Sequence, residues 1–143
     1  MMLATAESCT GGWVGQVVTA VPGSSHWFDR GFITYTNNAK QQMLGVSTDL
    51  LARYGAVSEQ TARAMAEGAL ERSDAQVSLA ITGIAGPGGG TRDKPVGTVC
   101  FAWAMEDRDT QTKRLQFDGD RQAIRQQAVA EALSGLLALT GDS

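Results

Sequence analysis

Ser8 and Lys40 are the residues of this chain whose types and settings could do chemistry together. Ser8 lies in Ala4-Thr-Ala-Glu-Ser-Cys-Thr-Gly-Gly12, an extended run that turns at a hydroxyl and opens into a helix. Such a turn displays a nucleophile. It would leave the N–H groups of Cys9, Thr10, Gly11 and Gly12 unpaired and pointing forward, toward an arriving anion or oxyanion. The same segment also reads as an ordinary helix start, with Ser8 or Thr10 capping a helix that begins near Gly12. A serine hydroxyl is a poor nucleophile without a base in reach. The only histidine, His26, sits in a loop after the helix that leads away from Ser8, which puts it at the opposite edge of the sheet. Lys40 is the better base, because it stands one turn past the second strand and can point back over the strand ends; a Ser-Lys pair is a recognised variant of Ser-His-Asp. To accept a proton it must be neutral, its pKa brought down from about 10.4 by burial or a nearby cation. Taken alone, the same lysine reads as a solvated helix residue.

The elements that must position these groups follow from periodicity and punctuation. Leu3 to Glu7 reads as a strand, and Trp13, Val14, Val17, Val18 and Val21 recur at helical spacing until Pro22-Gly23. Gly31-Phe-Ile-Thr-Tyr35 reads as a second strand, with Asn37-Asn38 starting a short helix at its end. Ser47-Thr48-Asp49 caps another short helix that closes at Gly55, and Ser58 caps a longer one with Ala62, Met65, Ala66, Ala69 and Leu70 as its stripe. Gln76 to Thr82 is a third strand. The glycine-rich run Gly83 to Pro95 is a loop, Val96 to Ala104 a fourth strand, Glu106 to Asp109 a tight polar connection and Lys113 to Phe117 a fifth strand pairing antiparallel with the fourth. Arg121 to Leu139 is a long helix with Ile124, Ala128, Leu133, Leu136 and Leu137 inward. This order predicts a three-layer α/β/α domain on a mixed, mostly parallel five-stranded sheet, with one antiparallel strand. Ligands of such sheets bind beyond the carboxyl ends of the parallel strands. Three segments meet there: the Ser8 turn, Tyr35 to Lys40, and the glycine loop. That loop fits no nucleotide motif, since its lysine, Lys94, is followed by Pro95, and no helix follows Gly86 and Gly88.

Composition bounds the rest. At 143 residues with 43% hydrophobic content, the chain is one domain long and able to bury a core. No apolar run of about 18 residues and no signal-like start occur, so a cytoplasmic protein without a membrane span is expected. Cys9 and Cys100 form no Cys-x-x-Cys pair, and a single histidine with scattered carboxylates offers no metal cluster. A net charge of −3 and a pI near 5.0 oppose nucleic-acid binding, which needs a basic footprint.

Six motifs then carry a resemblance. Glu7-Ser-Cys-Thr-Gly-Gly12, Gly31-Phe-Ile-Thr-Tyr-Thr-Asn37 with Lys40, Gly55-Ala-Val-Ser58, Thr82-Gly-Ile-Ala-Gly-Pro87, Lys94-Pro-Val-Gly97 and Phe117-Asp-Gly-Asp-Arg121 together resemble the CinA carboxyl-terminal domain family over essentially the whole chain. The resemblance implies hydrolysis of nicotinamide mononucleotide to nicotinate mononucleotide and ammonia, in pyridine-nucleotide recycling and without a cofactor. Ser8 is then the nucleophile and Lys40 its base, while Tyr35 and Asn37 orient the lysine or contact substrate. Cys9, Thr10, Gly11 and Gly12 would meet the oxyanion. Thr82, Gly83, Gly86 and Gly88 would bind substrate, the phosphate resting on the glycine loop Gly83 to Gly90 with Arg121 or Arg92 as counter-charge, and a dimer contact is the other reading of Arg121. The resemblance also implies a homo-oligomer, at least a dimer. It implies a further helix of roughly 15 to 20 residues, about one helix length, before the first strand, and this chain starts inside that strand. A pyridine-nucleotide-binding module without catalysis is the alternative reading. A DNA-processing role, which the competence-related family name suggests, is opposed by the acidic charge.

Overall fold

A computed structural model describes residues 1–141. Its elements run β1 (Leu3–Glu7), α1 (Trp13–Thr19), a 3₁₀ turn (Ser24–His26), β2 (Phe28–Ile33), α2 (Asn37–Leu44), α3 (Thr48–Tyr54), α4 (Glu59–Glu71), β3 (Val77–Gly83), β4 (Thr98–Met105), β5 (Arg108–Gln116) and α5 (Arg121–Thr140). The five strands form one mixed sheet in the order β2-β1-β3-β4-β5. β1 pairs parallel with β2 and β3, and β4 pairs antiparallel with both β3 and β5, so β4 alone runs against the other strands.

Strand alternation sorts the core into two unequal halves. Leu79, Ile81, Val99, Phe101 and Trp103 pack with Val14 and Val18 of α1 and Ile124, Ala128 and Ala132 of α5. The opposite face carries smaller side chains, Ala4, Ala6, Ala80, Ala102 and Ala104, against Ala62, Met65, Ala66 and Ala69 of α4. Small residues on both sides let α4 lie close enough for Ser78 Oγ to donate to the Ala66 carbonyl at 2.6 Å. α4 in turn supports α2. A Cβ added at Gly68 would run into the carbonyl of Leu44, the last residue of α2. Alanine in a helix interior ordinarily gains about 1 kcal/mol over glycine. Here Gly68→Ala is expected to destabilise by about 1–3 kcal/mol, because the obstacle is backbone that cannot rotate away. A thermal unfolding curve at or above that of the parent would contradict this packing.

Several expected boundaries shift for identifiable reasons. The second strand starts at Phe28 and ends at Ile33, rather than spanning Gly31 to Tyr35. β2 is an edge strand, so the charged pair Asp29-Arg30 fits within it, Arg30 bonding to Asp29 at 2.7 Å and Asp74 at 3.2 Å. The fifth strand begins at Arg108 instead of Lys113, since its outer face is polar and carries no apolar alternation to read. The fourth spans Thr98–Met105 rather than Val96 to Ala104, the third Val77–Gly83, and the last helix runs one residue longer, to Thr140. The first helix ends at Thr19, leaving Val21 outside it and exposed, and Leu137 of α5 faces outward rather than inward. Among the described residues no helix is long and apolar enough to cross a membrane.

Candidate active site

The carboxyl ends of β1, β2 and β3 converge on a cleft of about 290 Å³. Ser8 is the first residue past β1, and the sheet still holds it, because its N–H donates to the Ile81 carbonyl at 3.0 Å. The Glu7 carbonyl beside it accepts the Thr34 N–H at 2.8 Å, tying the exit of β2 to the exit of β1. Beyond Thr34 the chain leaves the sheet and starts α2, whose N-cap Thr36 accepts the Ala39 N–H on its hydroxyl at 3.0 Å. That start directs Lys40 inward. It is 1% exposed, and its Nζ lies 3.0 Å from Ser8 Oγ, 3.1 Å from the Thr34 carbonyl and 3.5 Å from the Tyr35 carbonyl.

This set of partners suits a neutral amine. Two carbonyls take the two N–H bonds, and the lone pair is then aimed at the Ser8 hydroxyl. Among the described residues no carboxylate forms an ion pair with Lys40. Burial holds its pKa below the ordinary lysine value, opposed weakly by the neighbouring Cys9. The Cys9 thiol at the same turn is in the reverse condition, since burial pushes it up to about 11 and keeps it protonated.

Glu7 governs the rest of the turn. Its buried carboxylate accepts the Thr10 hydroxyl at 2.6 Å and the N–H groups of Gly12, Val14 and Gly15 at 3.2, 3.0 and 3.0 Å. It therefore caps α1 from outside the helix, and neither Ser8 nor Thr10 does so; the N-cap is Gly12, in a left-handed conformation. The expectation that four successive N–H groups stand free is corrected accordingly. Gly12 N–H is taken by Glu7, and Gly11 N–H turns back to the Ser8 carbonyl at 3.1 Å. Among the described residues, the N–H groups of Cys9 and Thr10 alone in this turn lack an acceptor.

The first strand end contributes Ser8 and Cys9 to the cleft wall, and the second contributes Tyr35, Asn37 and Lys40. Thr82, Gly83, Gly86 and Gly88 come from the third, and Arg121 reaches in from the start of α5. Thr10, Gly11 and Gly12 lie outside this lining, Thr10 fully buried beneath it. Thr82 spends its hydroxyl on the Ala56 carbonyl at 2.7 Å, so it shapes the wall rather than offering a donor. Arg121 donates to the Gly86 carbonyl at 2.6 Å and to the Tyr35 hydroxyl at 3.0 Å, pinning the glycine loop to the far rim. Arg92 is exposed on the loop, away from the lining, and His26 lies before β2 at the amino edge. Two residues carry little signal in the sequence. Glu7 reads there as a strand end and the first residue of a motif, with no role for its carboxylate. Arg125, which bonds to the Cys9 and Thr10 carbonyls at 3.0 and 3.1 Å, was not singled out, although it follows Arg121 by four positions and so shares its helix face.

Known proteins share this arrangement of chain. The CinA C-terminal domain family matches residues 1–140. The nicotinamide-nucleotide amidohydrolase PncC of Escherichia coli (strain K12) is 55% identical over 132 residues, covering 92% of this chain and 80% of that protein. A CinA-like protein of Akkermansia muciniphila is 54% identical over 134 residues, 94% of this chain, which spans 32% of that relative's length. The crystal structure of the competence/damage inducible protein CihA from Agrobacterium tumefaciens is 50% identical and aligns with a TM-score of 0.96 over 98% of this chain and 86% of its own. With the family pattern covering all but the last few residues and a solved relative sharing nearly the whole backbone, the chain belongs to the CinA C-terminal domain family.

Proposed function

We propose that this protein deamidates nicotinamide mononucleotide, giving nicotinate mononucleotide and ammonia, with Ser8 as nucleophile and Lys40 as its base. The observation that carries the reading is the Lys40 amine, buried, without a counter-ion among the described residues, and 3.0 Å from Ser8 Oγ on the cleft wall. Identity of 55% to a protein named nicotinamide-nucleotide amidohydrolase supports the substrate.

Neutral Lys40 takes the Ser8 proton as Oγ attacks the carboxamide carbon, and the free N–H of Cys9, on the cleft wall, receives the oxyanion. The lysine, now an ammonium, passes that proton to the departing nitrogen, and ammonia leaves. Water then attacks the acyl ester, Lys40 accepts its proton and returns one to Ser8 Oγ, and the carboxylate is released. The positive charge on the pyridinium ring makes its carboxamide carbon electrophilic. The phosphate is expected at the glycine loop. Among the described residues the N–H groups of Gly86, Gly88 and Gly89 have no acceptor, and Arg121 supplies positive charge at the loop's base.

The test is ammonia release from nicotinamide mononucleotide by the purified protein and by Ser8→Ala. The parent is expected to turn over and the variant to lose at least about 10⁴-fold in kcat while still binding the nucleotide. Full activity in Ser8→Ala would sink the mechanism. Calorimetric binding of the nucleotide by a parent that releases no ammonia would instead make this a binding module.

A further inference from the structure

We infer that Arg125 is the positioning residue of the oxyanion site, orienting and polarising the Cys9 amide that follows Ser8. The inference rests on the acyl-serine reading above. In a trans peptide, the carbonyl of one residue and the N–H of the next point in opposite directions within one plane. Anchoring the carbonyl therefore aims the N–H.

Two routes lead from the Arg125 guanidinium to the turn. Its Nε–H donates to the Cys9 carbonyl at 3.0 Å, and the other end of that peptide is the Thr10 N–H. Its Nη2–H donates to the Thr10 carbonyl at 3.1 Å, whose peptide ends in the Gly11 N–H. That N–H donates to the Ser8 carbonyl at 3.1 Å, and the Ser8–Cys9 peptide ends in the Cys9 N–H. The second route stops at the Cys9 N–H, which has no acceptor among the described residues and belongs to the cleft wall, while the first holds the buried Thr10 peptide beneath it. A charged donor at the head of a hydrogen-bonded chain strengthens each donor down the chain. It also fixes the Cys9 amide before charge develops, so no reorganisation is needed at the moment of attack.

The guanidinium is itself held. It lies 5.4 Å from the centroid of the Trp13 ring, and it is carried by the second turn of α5, with Ile124 beside it buried in the core. Gly11, at φ 56°, brings the backbone close, and a Cβ there would already stand 3.7 Å from Nη2. Arg125 does not line the cleft, unlike Arg121 one turn earlier, so its effect on the reaction passes through the Ser8 turn.

Arg125→Met, Arg125→Lys and Arg125→Gln separate this role from simple tethering. Two rates are measured for each: steady-state ammonia release from nicotinamide mononucleotide, and covalent labelling of Ser8 by a fluorophosphonate, whose reaction also builds negative charge on an oxygen beside the nucleophile. For Arg125→Met, kcat is expected to fall on the order of 10²-fold, the size of losing one oxyanion donor, with KM within about threefold. Labelling should slow in parallel. Arg125→Lys should recover part of both rates, because it keeps the charge on one donor, and Arg125→Gln should stay below Arg125→Lys; that last comparison decides the matter if Arg125→Met does not fold. Rates of Arg125→Met within threefold of the parent, or Arg125→Lys no faster than the neutral variants, would overturn the inference. A parent that labels at Ser8 yet releases no ammonia from the mononucleotide overturns the substrate reading and leaves the labelling series to decide on Arg125. A Ser8 that takes no label overturns both.

Discussion

Lys40→Met is expected to melt higher than the parent at pH 7 while losing, on the proposed Ser8–Lys40 mechanism, at least about 10⁴-fold in ammonia release, the cost of removing one member of a two-residue proton-transfer unit. The two effects share one cause. Lys40 is 1% exposed and, among the described residues, has no carboxylate partner, so the folded state carries the cost of an ammonium in an apolar setting whenever the group is charged. Methionine fills a similar volume without that cost. Its loss of bonds to the Thr34 and Tyr35 carbonyls offsets part of the gain, leaving a net of about 1–2 kcal/mol, or about 3–6 °C for a chain of this size. The sign with pH follows from the lowered pKa. Between the folded value and the unfolded one near 10.4, the unfolded chain binds more protons, so parent stability rises with pH across that window. The cost is complete below the folded pKa and is relieved as pH approaches 10. The advantage of Lys40→Met should therefore be widest on the acid side and close toward pH 10, and parent kcat/KM should rise with pH as the amine loses its proton. A variant that melts below the parent at pH 7, with a difference independent of pH, would mean that the lysine is better solvated than its burial implies.

The placement of Lys40 beside Ser8 could be anticipated because both ends of the contact are local signals. A strand followed by Ser-Cys-Thr-Gly-Gly and a strand followed by Thr-Asn-Asn-Ala-Lys each read as a turn into a helix, and parallel pairing puts the two exits side by side. Sheet composition and strand direction were legible for the same reason, since each core strand is a short apolar run bounded by turn residues. What escaped is long-range or polar. Arg125 meets the Ser8 turn across more than a hundred residues, and nothing in the spacing of a single sequence encodes that contact. Edge strands β2 and β5 carry charges where a core strand would carry aliphatic residues, so their limits dissolve into the neighbouring loops. The sequence implies more free amides than the fold leaves, because it shows a helix start without showing what already fills it. A glutamate just before the turn looks like a strand end, and only the fold reveals that its side chain reaches forward over α1.

Glu7 accordingly carries the largest expected effect on stability. Its carboxylate is acceptor-only and receives a hydroxyl and three N–H groups, Oε1 taking Thr10, Gly12 and Val14, and Oε2 taking Gly15. Glutamine keeps the shape and cannot keep the bonding. With its amide nitrogen in the Oε2 position, two donors face each other at Gly15; with it in the Oε1 position, three do. The first arrangement is the lesser evil, and it orphans one buried N–H and removes the negative charge at the start of α1. Together these cost about 2–4 kcal/mol, so Glu7→Gln should melt about 6–12 °C below the parent. Thr10→Val gives the calibration. It removes one donor and leaves the carboxylate with three partners, so about 1 kcal/mol is expected. The catalytic consequence is separable from the loss of stability. Glu7 is bonded to Ser8 through the chain and to Thr34 through its carbonyl, and Thr34 in turn holds the Lys40 amine. Loosening Glu7 should therefore lower kcat even well below the melting transition, by letting the hydroxyl and the amine drift from 3.0 Å. A Glu7→Gln protein that melts within 2 °C of the parent would show that water, rather than this carboxylate, satisfies the start of α1.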